Sequence, residues 1–240
     1  YQEITLLGQN VNSYGKDLGD DYNFSNLLED VAKTDIPRIR FTTSHPWDFS
    51  EDMIKVIAKY DNIMPAIHLP VQSGNNEILK LMGRRYSREQ YLALFHKIKE
   101  YIPDCTITTD IIVGFPGETD EEFAKTKEFL RKIDFYRMHI FKYSKRKGTK
   151  AASMPNQVAP EKQEERSKIL RDLSRENEKK HQEKYLQKEL EVLWEEKEEE
   201  YWKGHTKNYI LVKMKSDENL TNQITKTKIR KNEIDYLIGE

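Results

Sequence analysis

Five short apolar segments of the sequence each end in residues that can hydrogen-bond a ligand or bring the backbone close to one. The five loops are GQNVNSYG (8–15), TSHP (43–46), VQSGNN (71–76), GFPGET (114–119) and YSKRKGT (143–149). Amides and hydroxyls supply the directional hydrogen bonds that a polar ligand needs in a partly dry pocket. Glycine, proline, asparagine and serine also dominate ordinary turns, so any single loop is explained equally well as a turn. Five such loops in succession favour one shared ligand site.

The stretch GFPGETDEE (114–122) combines a helix start with a place for close backbone approach. Thr119 and Glu122 have the spacing of a capping box, which explains the helix start without any ligand. Gly114 and Gly117 would let the backbone approach a flat or phosphorylated group, but their spacing fits neither a P-loop nor a dinucleotide fingerprint. A nucleoside packed against this backbone would suit the loop.

Cysteine and histidine offer little for a metal site. Cys105 is the one cysteine, which excludes an internal disulfide and any multi-cysteine metal site built from this chain alone. Its place at the start of an interior strand predicts a small core residue. His45 and His68 lie on separate strands without evident acidic partners, so they are weak ligand candidates, and His68 is predicted to point into the barrel.

Composition limits the class of protein. The chain has 240 residues, of which 37% are hydrophobic and 34% charged. No apolar run approaches the roughly 20 residues of a membrane helix, so no membrane partner is expected. The first residues resemble neither a signal peptide nor a natural start, which predicts a longer protein upstream. The single cysteine indicates a reducing compartment, the cytoplasm.

The chain has 40 lysines and arginines and 41 aspartates and glutamates, so its overall charge does not attract nucleic acid. Any nucleic-acid site must therefore be a local cluster of basic residues. Basic and aromatic residues that could bind RNA phosphates and bases occur in three clusters. The clusters are Lys142, Tyr143, Lys145, Arg146, Lys147 and Lys150; Arg84, Arg85 and Tyr86; and Trp202, Lys203, His205, Lys207, Asn208 and Tyr209. The alternatives are a solvated loop for the first cluster, a helix cap for the second, and a surface turn for His205.

Apolar strands alternate with amphipathic helices over the first 159 residues. Strands are predicted at 3–8, 38–43, 65–70, 106–114 and 136–143, and helices at 24–33, 50–60, 75–82, 87–102 and 120–133. This order is typical of an α/β fold with parallel strands and crossover helices, here about five βα units of a partial parallel barrel. Ligands of such folds bind beyond the carboxyl ends of the strands, so the five loops, called the rim loops below, should share one face.

The pattern changes after residue 159. Oppositely charged residues repeat at i,i+4 over residues 160–187, and this pattern predicts one connecting helix with a mostly solvated surface. From 188 to 240, alternating strands separated by Gly204 and SDEN predict a small antiparallel β-barrel.

Five segments carry a family resemblance. In their order along the chain, these segments resemble the radical S-adenosylmethionine (SAM) methylthiotransferases that modify tRNA beside the anticodon. The segments are EITLLGQNVNSYG, RIRFTTSHP, HLPVQSGNNEILKLMGRRY, TDIIVGFPGETDEEF and FKYSKRKGTKAA. The tail from about 186 to 240 is similar to the TRAM domain that closes those proteins. The resemblance implies a partial barrel that binds SAM and a C-terminal RNA-binding barrel.

The resemblance also implies two [4Fe-4S] clusters in the full-length family, neither of them bound by this chain. The family's three-cysteine loop precedes the strand that begins here at Glu3, and three further cysteines belong to an N-terminal domain. Cys105 occupies neither position. The chain is therefore expected to be the C-terminal portion of an enzyme, to carry no catalytic residue itself, and to be inactive alone.

Seven rim residues are implied to hold SAM. By position, Gln9, Asn10 and Ser44 would face its methionine end. Gln72 and Ser73 would approach the ribose or the reacting centre, and the backbone of Val113 and Gly114 would line the adenine.

The two halves of the chain resemble different subfamilies. The first half looks most like enzymes that methylthiolate C2 of N6-isopentenyladenosine at tRNA position 37, on the segments GQNVNSYG, FTTSHP and HLPVQSG. YSKRKGTKAA and GHTKNYILV look more like the group acting on N6-threonylcarbamoyladenosine. The first half is given more weight because its loops line the expected pocket.

The expected partners are a tRNA anticodon stem-loop and an electron donor protein, and the expected state is a monomer. Two other classes of protein are alternatives. A non-radical barrel enzyme such as an aldolase needs an inward lysine or paired acid and base groups, whereas Asp110 lies in mid-strand and no inward lysine is evident. A catalytically inactive RNA-binding module would need no SAM-shaped rim.

Overall fold

The computed structural model describes residues 1–19, 21–42 and 44–240. Thr43, which begins the second rim loop, lies outside the described residues. Of the helices in these ranges, none combines the length and the apolar character that crossing a bilayer requires.

Five strands alternate with helices in the first part of the chain. The elements are β1 Glu3–Leu7, α1 Phe24–Ala32, β2 Arg38–Thr42, α2 Glu51–Lys59, β3 Ala66–His68, α3 Asn76–Leu81, α4 Arg88–Tyr101, β4 Thr106–Val113, α5 Asp120–Lys132 and β5 Arg137–Lys142. The pairs β1–β2, β3–β4 and β4–β5 are all parallel. The predicted α/β class with parallel strands is confirmed.

Backbone contacts next to β3 join the two sheets into one curved row. The Ile39 amide donates to the Asn62 carbonyl at 2.7 Å, and the Met64 amide donates to the Ile39 carbonyl at 2.9 Å. Strand order is therefore β1, β2, β3, β4, β5, a partial barrel whose concave face is open to one side.

Side-chain caps explain where the helices begin. The side chains of Asn23, Ser50, Asn75, Ser87 and Thr119 each accept a backbone N–H of the first turn of α1 to α5 in turn. These residues satisfy donors that the helix itself leaves free. The predicted capping box of Thr119 and Glu122 is present at α5.

The convex face of the strands forms the main core against the helices. Ile39, Ile67 and Ile111 point outward from their strands and are at most 1% exposed. Cys105 is 2% exposed in the same core, as predicted. Because side chains alternate across a strand, the residues between these positions face the concave side.

A long helix, α6 Pro160–Glu183, follows β5. It ends four residues before the predicted boundary at 187. Leu170 and Ser174 are buried on the face that packs on β5, and the Ser174 hydroxyl accepts the Met138 amide at 2.9 Å. The exposed face carries charged residues, as its sequence predicts.

The last 52 residues contain a closed five-stranded barrel. Its strands are β6 Glu189–Glu198, β7 Tyr201–Thr206, β8 Leu211–Lys215, β9 Ile224–Asn232 and β10 Leu237–Gly239, in the order β10-β8-β7-β6-β9. The prediction of an all-antiparallel barrel was wrong for one pair, because β10 runs parallel to β8. The short strand β10 lies between β8 and β9, parallel to β8 and antiparallel to β9. It closes the barrel, so the sheet has no exposed edge there.

The small barrel docks on the amino ends of the parallel strands, opposite the rim loops. The Arg38 guanidinium donates to the carbonyls of His205 and Glu191 at 2.9 and 3.0 Å. The Arg40 guanidinium donates to those of Lys207 and Thr206 at 3.1 and 3.0 Å. At the first residue of β4, the Thr106 hydroxyl donates to the Asn208 carbonyl at 2.7 Å.

Candidate functional site

The first two rim loops bind each other directly. The Asn12 side-chain amide donates to the His45 carbonyl at 2.9 Å, and its oxygen accepts the His45 amide at 2.9 Å. The Asn10 amide donates to the Asp48 carboxylate at 3.2 Å. The asparagines of the first loop therefore fix the second loop beside it.

Aromatic stacking connects the second rim loop to the third. The His45 and Trp47 rings stack with centroids 3.8 Å apart, and Trp47 lies 6.0 Å from Tyr86. The Tyr86 hydroxyl donates to the carbonyls of Pro70 and Val71 at 3.2 and 3.1 Å. Burial raises the pKa of Tyr86 to about 12, so this hydroxyl remains a donor at neutral pH.

The third, fourth and fifth loops are held together by backbone hydrogen bonds. The Gln72 amide donates to the Asp110 carbonyl at 2.8 Å, and the Ile112 amide donates to the Gln72 carbonyl at 3.0 Å. The Tyr143 amide donates to the Val113 carbonyl at 2.9 Å. All five rim loops thus form one continuous rim at the carboxyl ends of the strands.

Three of the predicted SAM-binding residues lie at or near the surface of the rim. Gln9 is exposed, while Asn10 and Gln72 are half-buried. Gln72 has a φ of +69°, a left-handed conformation that costs a non-glycine residue on the order of 1 kcal/mol. Such local strain persists where the surrounding structure holds the residue, as it does here between two β4 hydrogen bonds.

Ser73 and Val113 contribute structure to the rim. Both are fully buried. The Ser73 hydroxyl accepts the Asn75 amide at 3.2 Å and lies 3.3 Å from the Thr126 hydroxyl. These contacts explain the serine without any ligand.

Polar atoms without partners mark the part of the rim formed by the first two loops. Asn10 Oδ1, Ser44 Oγ and His45 Nδ1 are buried and have no hydrogen-bond partner among the described residues. Burying such an atom unpaired costs about 1–3 kcal/mol, so a ligand with matching donors and acceptors would be favoured there. Burial, and secondarily the nearby Arg84 guanidinium, lowers the pKa of His45, which keeps the imidazole neutral at neutral pH.

Gly114 makes its close approach to a helix of the chain itself. Its φ is +72°, and a Cβ built there would lie 2.3 Å from the Gln163 Cγ of α6. The Gly114 carbonyl accepts the Gln163 side-chain amide at 3.3 Å, and its N–H donates to the buried Glu118 carboxylate at 2.9 Å. Glu118 is also paired with buried Arg166 at 2.7 Å. The sequence could not reveal that α6 covers this glycine.

The concave face of the strands forms a cavity of about 470 Å³ whose lining combines apolar and charged side chains. Its lining includes Thr5, Arg40, His68, Thr108, Asp110, Arg137, His139, Phe141, Glu195 and Tyr209. The last two belong to the small barrel, which therefore closes the floor of this cavity. No lysine is among the described residues that line it.

The structure corrects the prediction that His68 has no acidic partner. His68 lines the cavity as predicted, and its Nε2 lies 3.4 Å from an Asp110 carboxylate oxygen. His139, which was not singled out in the sequence, lies beside them. Burial lowers the pKa of His139, while the negative charge of Asp110 raises it by a smaller amount. Alternation of polar and apolar residues in TITTDIIV of β4 is the signal that could have placed Asp110 on the concave face.

The two basic clusters near the rim remain mostly exposed. Lys145, Arg146 and Lys147 are exposed, whereas Lys142 is paired with Glu164 at 2.8 Å. Arg85 is exposed and Arg84 half-buried. Tyr143 is half-buried, and Tyr86 is buried at 8% exposure, so the Tyr86 ring supports the rim from inside.

The cluster predicted on the small barrel divides between its inside and its outside. Trp202 is 5% exposed in the core, and Asn208 is buried with its amide donating to the Tyr185 hydroxyl at 2.6 Å. Lys203 and Lys207 point outward, paired with Glu198 and Glu191 at 2.6 Å each. Alternation along β7 explains the inward tryptophan.

His205 and Tyr209 of this cluster lie at the interface with the parallel strands. Their rings stack 4.3 Å apart, and Arg40 lies 4.6 Å from the Tyr209 ring centroid.

Together, the partial parallel barrel, the continuous rim and the cavity place this chain among the α/β barrel proteins, a class whose ligands bind at the carboxyl ends of the strands. Residues 1–130 match the profile of the radical SAM superfamily, and the chain belongs to that superfamily. Membership implies S-adenosylmethionine and a [4Fe-4S] cluster as cofactors.

Curated relatives are similar over most or all of the chain. A tRNA-2-methylthio-N(6)-dimethylallyladenosine synthase of Staphylococcus epidermidis is 59% identical over 171 residues, which cover 71% of this chain and 33% of that protein. The Bacillus subtilis protein of the same name is 46% identical over 244 positions, covering 100% of this chain and 48% of that protein. The chain thus spans less than half the length of each relative.

A solved structure agrees on the fold. Coproporphyrinogen III oxidase from Escherichia coli, a radical SAM enzyme, superposes with a TM-score of 0.50 at 18% identity, covering 64% of this chain and 36% of that chain. At this identity the likeness concerns the fold alone.

The rim fits one cofactor better than the other. Asn10 Oδ1 and Ser44 Oγ, which have no partner among the described residues, have the chemistry to hydrogen-bond a charged amino-acid group such as that of SAM. A [4Fe-4S] cluster requires several cysteine thiolates, whereas the chain has one cysteine. Cys105 is 2% exposed within the core, and this burial raises the pKa of its thiol to about 12, which disfavours the thiolate form that binds iron.

Proposed function

We propose that this chain is part of a tRNA methylthiotransferase that adds a methylthio group to C2 of N6-isopentenyladenosine at position 37, beside the anticodon. The observation that carries the proposal is identity of 46% along the whole chain, rim loops and small barrel included, with the Bacillus subtilis methylthiotransferase. In this proposal the cysteine ligands of both [4Fe-4S] clusters come from outside these 240 residues.

The rim would hold SAM. When reduced by the cluster, SAM supplies the 5'-deoxyadenosyl radical that begins the reaction. Asn10 and Ser44, whose buried oxygens have no partner within the described part of the chain, would bind the amino-acid end, with exposed Gln9 beside them. Gln72 would approach the ribose. The backbone near Val113 and Gly114 would lie beside the adenine, on the side that α6 leaves free.

RNA would be bound through exposed and half-buried cations rather than through the buried aromatics. Lys145, Arg146 and Lys147 on the fifth rim loop, with Arg84 and Arg85 near the third, suit contact with phosphates. Lys203 and Lys207 on the small barrel offer a second contact. Trp202 and Tyr86 are left out of this surface because they are buried. A closed five-stranded barrel is also the architecture of the OB-fold, which binds oligonucleotides, and this supports a TRAM-like role.

The proposal includes a cytoplasmic monomer that receives electrons from a separate donor protein. Two alternative functions remain, and analysis of tRNA nucleosides separates them. The fifth rim loop and the small barrel resemble enzymes acting on N6-threonylcarbamoyladenosine, and an RNA-binding module without activity would modify neither nucleoside.

Mass spectrometry of tRNA nucleosides tests the function. A strain lacking the full-length gene is complemented with that gene, and its tRNA is digested and analysed. We expect 2-methylthio-N6-isopentenyladenosine to appear only in the complemented strain. Appearance of the methylthiolated threonylcarbamoyl nucleoside would replace the substrate assignment, and no methylthio product would support the inactive module.

Variants of the full-length, cluster-loaded enzyme test the rim. Asn10→Ala and Ser44→Ala should each slow product formation about fivefold at subsaturating SAM, because each loses a hydrogen bond of roughly 1 kcal/mol. Thr34→Ala is the control, since Thr34 is exposed and its hydroxyl donates to the Val31 carbonyl of its own turn. Unchanged SAM affinity in both rim variants would contradict the assignment.

A further inference from the structure

Three side chains with metal-binding atoms meet on the concave face of the partial barrel. His68 lies on β3, Asp110 on β4 and His139 on β5. In the strand register Asp110 is paired with His139, while His68 is paired with Thr108, two residues before Asp110. Adjacent strands therefore present all three groups on the same side, and one ligand atom from each lies within 4.8 Å of the other two.

We propose that His68, Asp110 and His139 bind one divalent transition metal ion, zinc being the best match. Two imidazoles and one carboxylate are a ligand set used by zinc and by non-haem iron. Three protein ligands leave at least one coordination position free, and here that position faces the cavity of about 470 Å³. A water molecule or an oxygen of a bound ligand could occupy it.

The distances fit a tetrahedral ion after a small adjustment. Ligand atoms about 2.0–2.1 Å from zinc stand about 3.3 Å apart at the tetrahedral angle. His68 Nε2 and the Asp110 oxygen are already 3.4 Å apart. His139 must come closer, and its exposed side chain can rotate without displacing core residues.

A second contact orients the first imidazole. His68 Nδ1 lies 2.9 Å from the Thr108 hydroxyl, so this ring nitrogen already has a partner. The other nitrogen, Nε2, is the one directed at Asp110. Metal-binding histidines are usually held in this way by a hydrogen bond to the nitrogen that does not bind the metal.

Neighbouring positive charges are already balanced. Two arginines are among the described residues that line the cavity, Arg40 and Arg137. Arg40 is paired with Glu3 at 2.9 Å, and Arg137 with Glu178 at 2.8 Å. Glu195, which also lines the cavity, is paired with His205 at 2.9 Å. Asp110 lies beside His68 and has no lysine or arginine partner among the described residues, so the cation would bind beside its negative charge.

This inference is independent of the proposed function, because the site needs neither the cluster nor SAM. It adds a mononuclear metal to the cavity below the rim.

Titration of the metal-free 240-residue chain with Co²⁺ and Zn²⁺ tests the site. We expect one ion per chain by calorimetry, with the visible absorption of four-coordinate Co²⁺. His139→Ala and Asp110→Asn should each weaken binding at least tenfold, as the loss of a ligand requires. His96→Ala is the matched control, because His96 is an exposed histidine on α4 and should leave the affinity unchanged.

Two results would overturn the proposal: no stoichiometric binding by the unmodified chain, or equal affinities in His139→Ala and His96→Ala. Circular dichroism confirms that each variant is folded. If His139→Ala does not fold, Asp110→Asn, which preserves side-chain size, decides the question. None of these measurements uses enzymatic activity, so failure of the metal site and failure of the proposed function are distinguishable.

Discussion

At the scale of single residues, Gly114 shows how one position serves the fold and the rim together. Its positive φ turns the chain at the end of β4, and the absence of a Cβ lets α6 lie against the loop. Its N–H and carbonyl are both used within the protein, by Glu118 and Gln163. The glycine is therefore required by packing even before a nucleoside is considered.

Replacing Gly114 by alanine should destabilise the protein through two separable effects. A left-handed alanine costs about 1–2 kcal/mol, and overpacking against Gln163 adds about 1–3 kcal/mol. We therefore expect chemical denaturation to show a loss of about 2–5 kcal/mol in the free energy of unfolding.

Two further variants separate these effects. Gly83 has the same φ of +72° with nothing within 4 Å of a built Cβ, so Gly83→Ala should show only the conformational cost. Gln163→Ala, added to Gly114→Ala, should restore the packing part. Equal losses in Gly83→Ala and Gly114→Ala would show that α6 does not restrict this position.

At the scale of elements, exposed ion pairs connect helices that the core already holds together. The Glu51 carboxylate in the first turn of α2 is 2.7 Å from Lys97 of α4 and 3.0 Å from Lys55. Hydrogen bonds from Lys97 and then Lys55 lower the pKa of Glu51 to about 2. The folded state therefore binds this proton less readily than the unfolded chain does.

The α2–α4 pair should make stability depend on pH in a defined direction. Because the pKa is depressed on folding, the stabilisation is fully present above the ordinary glutamate pKa of ~4.3. It is lost as the pH falls from there toward 2. The difference in denaturation midpoint between the wild type and Glu51→Gln should shrink over this range. Glu77→Gln, in the first turn of α3 and without an ion pair among the described residues, should show no such trend.

At the scale of the whole molecule, the small barrel and the rim lie at opposite ends of the parallel strands. β4 has eight residues, a length of about 26 Å. The exposed cations of the rim thus lie on one surface, and Lys203 and Lys207 lie on another. An RNA bound to both would have to extend along the side of the partial barrel.

The junction between the two units should depend on two arginines. Arg38→Met removes two charge-assisted hydrogen bonds to carbonyls of the small barrel, each worth at least about 1.5 kcal/mol. We expect the small barrel to unfold before the parallel strands in this variant, with a loss of about 3 kcal/mol. Fluorescence of Trp194 and Trp202, both in the small barrel, would then change at lower denaturant than far-UV circular dichroism.

Arg131→Met, an exposed substitution on α5, should leave the two transitions coincident. Coincident transitions in Arg38→Met as well would show that the junction does not depend on these hydrogen bonds. Arg40→Met should act like Arg38→Met, because it removes the paired contacts to Thr206 and Lys207.

The sequence by itself determined the elements and their order. Alternating apolar and helical periods placed all five parallel strands, and the Thr119 capping box marked the start of α5. The asparagines and serines that follow the strands could also be recognised in the sequence as hydrogen-bonding residues. These features could be predicted because residues that are close along the chain, two to four positions apart, produce them.

Only the tertiary structure decided which distant residues meet. It brought His139 to His68 and Asp110, placed Gln163 over Gly114, paired β10 parallel to β8, and docked the small barrel on the amino ends of the strands. Each of these contacts joins segments about 25 to 170 residues apart. Strand register and the packing of whole elements create them, and no local pattern of residue types encodes that information.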